Sequence, residues 1–307
     1  MKSVRSLTVL ALVIVIFGCT LDDAPPPAYD ASLATSLLLQ ADAHIANGDL
    51  DAAAQRALQA RQLAIEGGHP LVEAKALRLI GLARNEPGAI ALAQALSREI
   101  GDPEGEILAS LAFARIALAR NDSHEALYRS DEVLGHLGTF TDRNQRSGIE
   151  AHCHSIAAQT LRALNRVDEA LARNRRALLA LSILEADSLL RLRFDVAMGL
   201  GEDYTTLGQP QTAFLHHARA SDLARRLERM NDQITAIRAL AKDCTKMERQ
   251  EDAAIQYERA LHLAVTLGDA DLIELLVNET QAALIAINEG PGSERWERIQ
   301  IRGEIQR

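Results

Sequence analysis

The chain has 307 residues, with 33 Lys and Arg against 42 Asp and Glu and a formal net charge of −9. That balance excludes a general nucleic-acid binder, whose affinity rests on an excess of cations over phosphates. Hydrophobic residues make up 48% and aromatic residues only 3%, too few rings for a β-sandwich core or a base-stacking platform. The apolar residues are mostly Ala and Leu, the strongest helix formers.

In chain order, Lys2 and Arg5 precede an uncharged run from Leu7 to Phe17. The run is shorter than the roughly 20 residues of a membrane-spanning helix and reads as a secretory signal. Its end, Ile16-Phe17-Gly18-Cys19, resembles a bacterial lipoprotein signal: an aliphatic residue three before the cysteine, a small residue just before it, then the cysteine. The resemblance implies a signal peptide over residues 1–18 and lipidation at Cys19; the alternative is an uncleaved amino-terminal anchor. Both put the body outside the cytoplasm. Cleavage removes Lys2 and Arg5 and takes the net charge from −9 to −11. A chain that acidic is not drawn to anionic lipid, so the lipid itself does the anchoring. Thr20, standing where an Asp would signal retention, implies the outer membrane, with the body facing the periplasm. Residues 19–30, with Asp22, Asp23, Pro25, Pro26 and Pro27, form an extended spacer.

From Ala31 onward, amphipathic helical patterns alternate with short turns, and no strand pattern stands out. Turns at Asn121, Asn165, Gly208 and Glu248 follow one another at 44, 43 and 40 residues, after an earlier turn at Gly48, a period characteristic of helical solenoids. Five residues after each turn stand Ala53, Ala126, Ala170, Ala213 and Ala253, and seven further on Ala60, Val133, Ala177, Ala220 and Ala260. Small side chains there let the second helix of a pair lie close to its neighbours. Leu200-Gly201 with Tyr204 matches Leu-Gly-x-x-Tyr, with Ala41, Ala114, Ala158 and Ala241 at the glycine position of other copies.

On these residues the chain resembles the tetratricopeptide repeat family, with a long period similar to that of kinesin light chains. The resemblance implies an all-α, right-handed α-solenoid of about six helix pairs over residues 31–287. The Trp of the first helix and the Pro ending the second are missing, and Asn85-Glu86-Pro87-Gly88 reads as a disturbed turn. A last helix, from about Asp269 to Asn288, caps the array. Residues 288–307 form a tail with Trp296, a packing residue in a short helix that folds back.

No Gly-rich phosphate loop, nucleophile elbow or metalloprotease motif occurs, so neither catalysis nor a cofactor is expected. His152-Cys153-His154 is the one tempting cluster. Successive helical residues point about 100° apart, so the three cannot converge on one metal ion; His216-His217 fails in the same way. Cys153 and Cys244 lie on first helices two repeats apart, roughly 20 Å at about 10 Å per stacked helix, beyond the roughly 7 Å a disulfide tolerates. Both are expected free, with Cys244 in place of the repeat tyrosine.

The family resemblance implies that first helices line a concave groove through their second, fifth, ninth and twelfth repeat positions. Those positions give an apolar early wall of Leu38, Ile45, Leu108, Leu111, Arg115 and Leu118. The later, charged wall comprises His152, Gln159, Arg162, Asp195, Met198, Glu202, Arg238 and Lys242. An oily strip with a polar continuation suits an amphipathic helix or extended peptide; the alternative is that the early leucines pack within the protein. Arg238 and Lys242 offer one cationic pair, too little for a chaperone-tail clamp. The expected function is a membrane-anchored scaffold or adaptor binding protein partners at the cell envelope. A sensory module that takes a peptide or small ligand in the groove is the alternative.

Overall fold

The computed structural model describes residues 31–184 and 189–304; the signal segment, Cys19 and the proline-rich spacer lie outside the described residues. The helices run α1 (Ala31–Asn47), α2 (Leu50–Glu66), α3 (Pro70–Arg84), α4 (Pro87–Glu99), α5 (Pro103–Ala119), α6 (Ser123–Gly135), α7 (Arg143–Ala163), α8 (Val167–Ser182), α9 (Leu190–Thr206), α10 (Pro210–Arg226), α11 (Met230–Lys246), α12 (Gln250–Leu267), α13 (Ala270–Ala286) and α14 (Glu294–Glu304), with a 3₁₀ turn at Leu137–Thr139. Each helix packs on the next, and α1 touches α3, α3 touches α5, α5 touches α7 and α7 touches α9. The odd-numbered helices thus lie on the inner radius, the even-numbered ones outside, and the chain is a right-handed α-solenoid of helical hairpins.

Local chemistry sets the helix ends. The side chains of Asp49, Asp102, Asp122, Asp142 and Asp269 accept hydrogen bonds from the first-turn amides of α2, α5, α6, α7 and α13, satisfying donors that have no partner within the helix. Pro70, Pro87, Pro103 and Pro210 open their helices, where the missing N–H is no loss. Within each hairpin one residue turns left-handed: Gly48, Asn85, Asn121, Asn165, Gly208 and Glu248, with φ between 55° and 81°. Asn85 shows that the hairpin at 85–88 is not disturbed. It makes the same turn as the others, and Pro87 starts α4.

Close packing follows from the small residues. Ala53, Ala60, Ala126, Ala170, Ala177, Ala213, Ala220, Ala253 and Ala260 are all fully buried, as are Ala41, Ala114, Ala158 and Ala241 on the facing helices. Where the facing residue is glycine, the partner is large. A Cβ on Gly81 would stand 2.6 Å from the Ile90 side chain, and one on Gly201 would run into the His217 ring.

The last hairpin is followed by α13, the expected capping helix, and then by α14. Asn288 turns left-handed like the earlier hairpin residues, and α14 folds back with Ile299 fully buried and Trp296 packed on the terminal core of Ile273, Leu276 and Leu284. Arg295 fixes α14 to Glu258 at 2.5 Å, Glu251 at 2.8 Å and Glu289 at 3.4 Å. At the other end, the Arg229 guanidinium at the start of α11 reaches the Ala46 carbonyl of α1 at 3.5 Å. The solenoid winds far enough for its first and sixth hairpins to meet across the inner face.

Candidate ligand-binding site on the inner face

The later inner wall is an arginine–carboxylate ladder between successive first helices. Arg162 of α7 bonds Asp203 of α9 at 2.8 Å and pairs with Glu202 at 2.8 Å. Arg191 of α9 reaches Asp232 of α11 at 2.6 Å, and Arg238 of α11 grips Glu279 of α13 through two bonds of 2.8 and 2.5 Å. Residues 41 apart recur in all three rungs, so each rung spans one repeat. Asp203 and Asp243 are fully buried. Asn174 donates to Asp203 at 2.6 Å, and His217 Nδ1 with the Thr205 hydroxyl holds Asp243 at 2.6 and 2.8 Å. Gly199 keeps this approach open, since a Cβ there would lie 2.6 Å from Arg162 Nη2.

The ladder engages most of the expected late-groove residues. Arg162 with Glu202 and Arg238 with Glu279 close internal pairs, Asp195 pairs with Arg191 at 3.1 Å, and the Gln159 amide reaches Ser155 Oγ at 3.4 Å. Met198 is buried among Phe194, Ala220 and Leu223. Lys242 stays exposed.

The early wall is different. A cavity of about 210 Å³ opens between α1, α3, α5 and α7, floored by Leu79, Leu82, Leu108, Leu111 and Ile149 and rimmed by Asp42, Arg78, Arg115, Gln145 and His152. It brings together the expected Leu108, Leu111 and Arg115. Among the described residues, neither Arg78 nor Arg115 has a hydrogen-bond acceptor or a carboxylate at ion-pair distance. Burial pushes both guanidinium groups below the usual arginine range; the Asp42 charge acts in the opposite sense on each, and each lies within reach of a further acid, Asp102 for Arg78 and Asp195 for Arg115. Burial, then the Arg115 charge, pushes His152 down to about 4, so its ring is neutral at pH 7. His154 is buried on another side of α7, close to Arg173, Arg176 and Asp131, and also falls to about 4. Cys153 and Cys244 are free and buried in separate core clusters, and burial pushes the Cys153 thiol up to about 12.

The cavity depends on a local irregularity. α7 has 21 residues where α1, α5, α9 and α11 have 17, and its added first turn brings Gln145 and Gly148 to the rim. Fully buried Phe140 and the 3₁₀ turn before α7 set that start. Gly148 is buried, yet a Cβ on it would meet nothing within 4 Å, because that side of the helix faces the cavity.

Sequence reasoning missed Asp42, Arg78, Leu82 and Gln145. The signal for Arg78 and Leu82 was present: with Gly81 at the repeat glycine position, they occupy the fifth and ninth positions, as Leu111 and Arg115 do around Ala114. Asp42 follows Ala41 by the same rule. Gln145 lies in the added turn of α7, which the repeat does not supply.

Comparison with known proteins supports the fold alone. No protein-family model matches the chain, and no curated protein does. Among solved structures, the chain is similar to the Rap protein complexed with competence and sporulation factor, with 12% identity, 90% of this chain and 77% of that chain covered, and a TM-score of 0.52. A second similar structure is BtubC (BKLC) from P. vanneervenii, at 18% identity, 85% and 90% coverage and a TM-score of 0.45. The likeness to the Rap structure shows the fold, a helical-repeat architecture of tetratricopeptide type.

Proposed function

We propose that the protein is a non-catalytic scaffold whose inner face holds a peptide segment of a partner protein, and that the lipid on Cys19 tethers it to the outer membrane facing the periplasm. The observation that carries the binding half is the early-wall cavity, an aliphatic floor under two arginines that the rest of the fold leaves without ion-pair partners. Both arginines are half-buried rather than enclosed, so each guanidinium can meet a partner's acceptor from the inner face. The similar Rap structure is a complex with competence and sporulation factor, which accords with a binding role for an array of this fold. The anchoring half rests on the lipoprotein-like run ending at Cys19.

Two experiments test the two halves. A photo-crosslinking residue at Gln145, on the inner rim, captures a partner from native membranes, while one at exposed Leu215 on the outer helix α10 does not. Capture from Leu215 alone would put the interface on the outer surface and refute the reading. Cys19→Ser blocks lipid labelling and releases the protein from membranes; retention of the variant would instead support an uncleaved anchor.

A further inference from the structure

We propose that the outward face of α1 pairs two copies of this chain, the α1 of one copy lying antiparallel on the α1 of the other about a two-fold axis. Counted from the repeat glycine position, Ser36, Leu39, Gln40 and Ala43 of α1 correspond to Ala76, Leu79, Ile80 and Ala83 of α3. In α3 those four are buried on the preceding hairpin, Ala76 with Leu37 and Ala60, the other three with Ala41, Ala53 and Ala57. The same positions in α7, Cys153, Ile156, Ala157 and Thr160, are buried too. In α1 all four are exposed, Leu39 by 68%, and the Gln40 amide donates to Ser36 Oγ at 3.3 Å along the same side. α1 therefore carries the face of an internal helix, with no hairpin before it among the described residues.

Charge and connectivity select a second copy as the occupant. The chain carries a net charge of −9, so two copies approach most readily where neither presents a charge. Apart from Asp42, which rims the inner cavity, and His44, which pairs with Asp49 at 3.3 Å, α1 has no ionisable side chain. The small side chains of Ser36 and Ala43 allow close approach. An antiparallel pair sets Leu39 and Gln40 of each copy beside the axis, burying both leucines while the amides and hydroxyls bond across it. Head-to-tail stacking, which would build a filament, is disfavoured because α14 closes the other end with Glu294, Glu297 and Arg298 exposed. Residues 19–30 hold three consecutive prolines and are too few for a hairpin the length of α1 and α2. On the anchoring reading they also limit the distance from lipid to α1 to roughly 40 Å, at about 3.3–3.6 Å per residue, which keeps the α1 helices of neighbouring copies close to one membrane plane.

The test is sedimentation equilibrium of the full chain in density-matched detergent, with a crosslink in native membranes beside it. The expected mass at micromolar concentration is twice that of one chain. Leu39→Glu brings two carboxylates together at the axis and raises the dissociation constant at least about a hundredfold. Because residue 39 is exposed in the single chain, that variant keeps its helical spectrum and melting midpoint. Leu179→Glu, 72% exposed on the outer helix α8, leaves the pair intact. A photo-crosslinking residue at Gln40 joins α1 to the α1 of a second copy in peptide mass spectra. A single-chain mass even at submillimolar concentration, a dimer that Leu39→Glu leaves unchanged, or a Gln40 crosslink to lipid, to residues 20–30 or to a different protein would each overturn the proposal. The mass is measured away from the membrane, so the pair and the anchoring reading stand or fall separately.

Discussion

The same substitution, glycine to alanine, has opposite signs at two first-helix positions. At Gly81 the new methyl would lie 2.6 Å from Ile90 Cγ1 and Cδ1 and 3.0 Å from the Glu86 carbonyl oxygen. Ile90 is fully buried in the cluster with Ala109, Ala112 and Ile116, so it cannot swing away without opening that core. The gain in helix propensity is about 1 kcal/mol, set against about 1–3 kcal/mol for forcing an extra carbon into a packed core, plus the displaced backbone contact. Gly81→Ala therefore destabilises by about 1–2 kcal/mol. At Gly148 the methyl meets nothing within 4 Å, and Gly148→Ala stabilises by about 0.5–1 kcal/mol. Urea unfolding of both variants, followed by helical circular dichroism and compared at unchanged slope, checks the pair. A lowered midpoint for Gly148→Ala, or a raised one for Gly81→Ala, would refute the packing of α3 on α4 and the open face of α7.

Three further predictions concern the buried polar and thiol groups. Asp203→Ala strands Asn174 and leaves Arg162 with Glu202 alone, costing about 1–3 kcal/mol, whereas Arg166→Ala, which removes an exposed pair with Glu169, shifts stability by less than about 1 kcal/mol; equal losses in urea titrations would contradict the ladder. His152 and His154 have pKa values lowered from 6.5 to about 4, so the unfolded chain binds more protons between those limits. The stability they contribute is complete above pH 6.5 and is lost as pH falls toward 4. His152→Gln/His154→Gln should flatten that part of the stability profile, and an unchanged slope would refute the burial of both rings. Native protein at pH 8 leaves Cys153 and Cys244 unmodified by iodoacetamide in peptide mass spectra, because both thiols are buried with raised pKa values; rapid native labelling would count against their packing.

The hairpin order, the left-handed turns and the buried alanines were legible because each repeats at a fixed offset, so one copy vouches for the next. The hairpin at Gly81 was harder to see because Asn85 and Pro87 stand together and read as a break, although one is a left-handed turn and the other a first-turn proline. Arg78 went with it. The tail's packing rests on little apolar material, Trp296 and three isoleucines, of which Ile299 is buried. The later wall looked like an open charged surface because single-sequence reading assigns charges to faces but not to partners. Arg162 and Arg238 find theirs 41 residues away, one repeat further along. The cavity needed the added turn of α7, which departs from the repeat and so lay beyond any rule drawn from it.

The inner wall that binds is tested most directly by partner capture from native membranes, comparing a chain carrying Arg78→Gln and Arg115→Gln with one carrying Lys242→Glu. Loss of the captured partner in the first and retention in the second is the expected result. Retention in the first with loss in the second would move the ligand to the later wall and contradict the account.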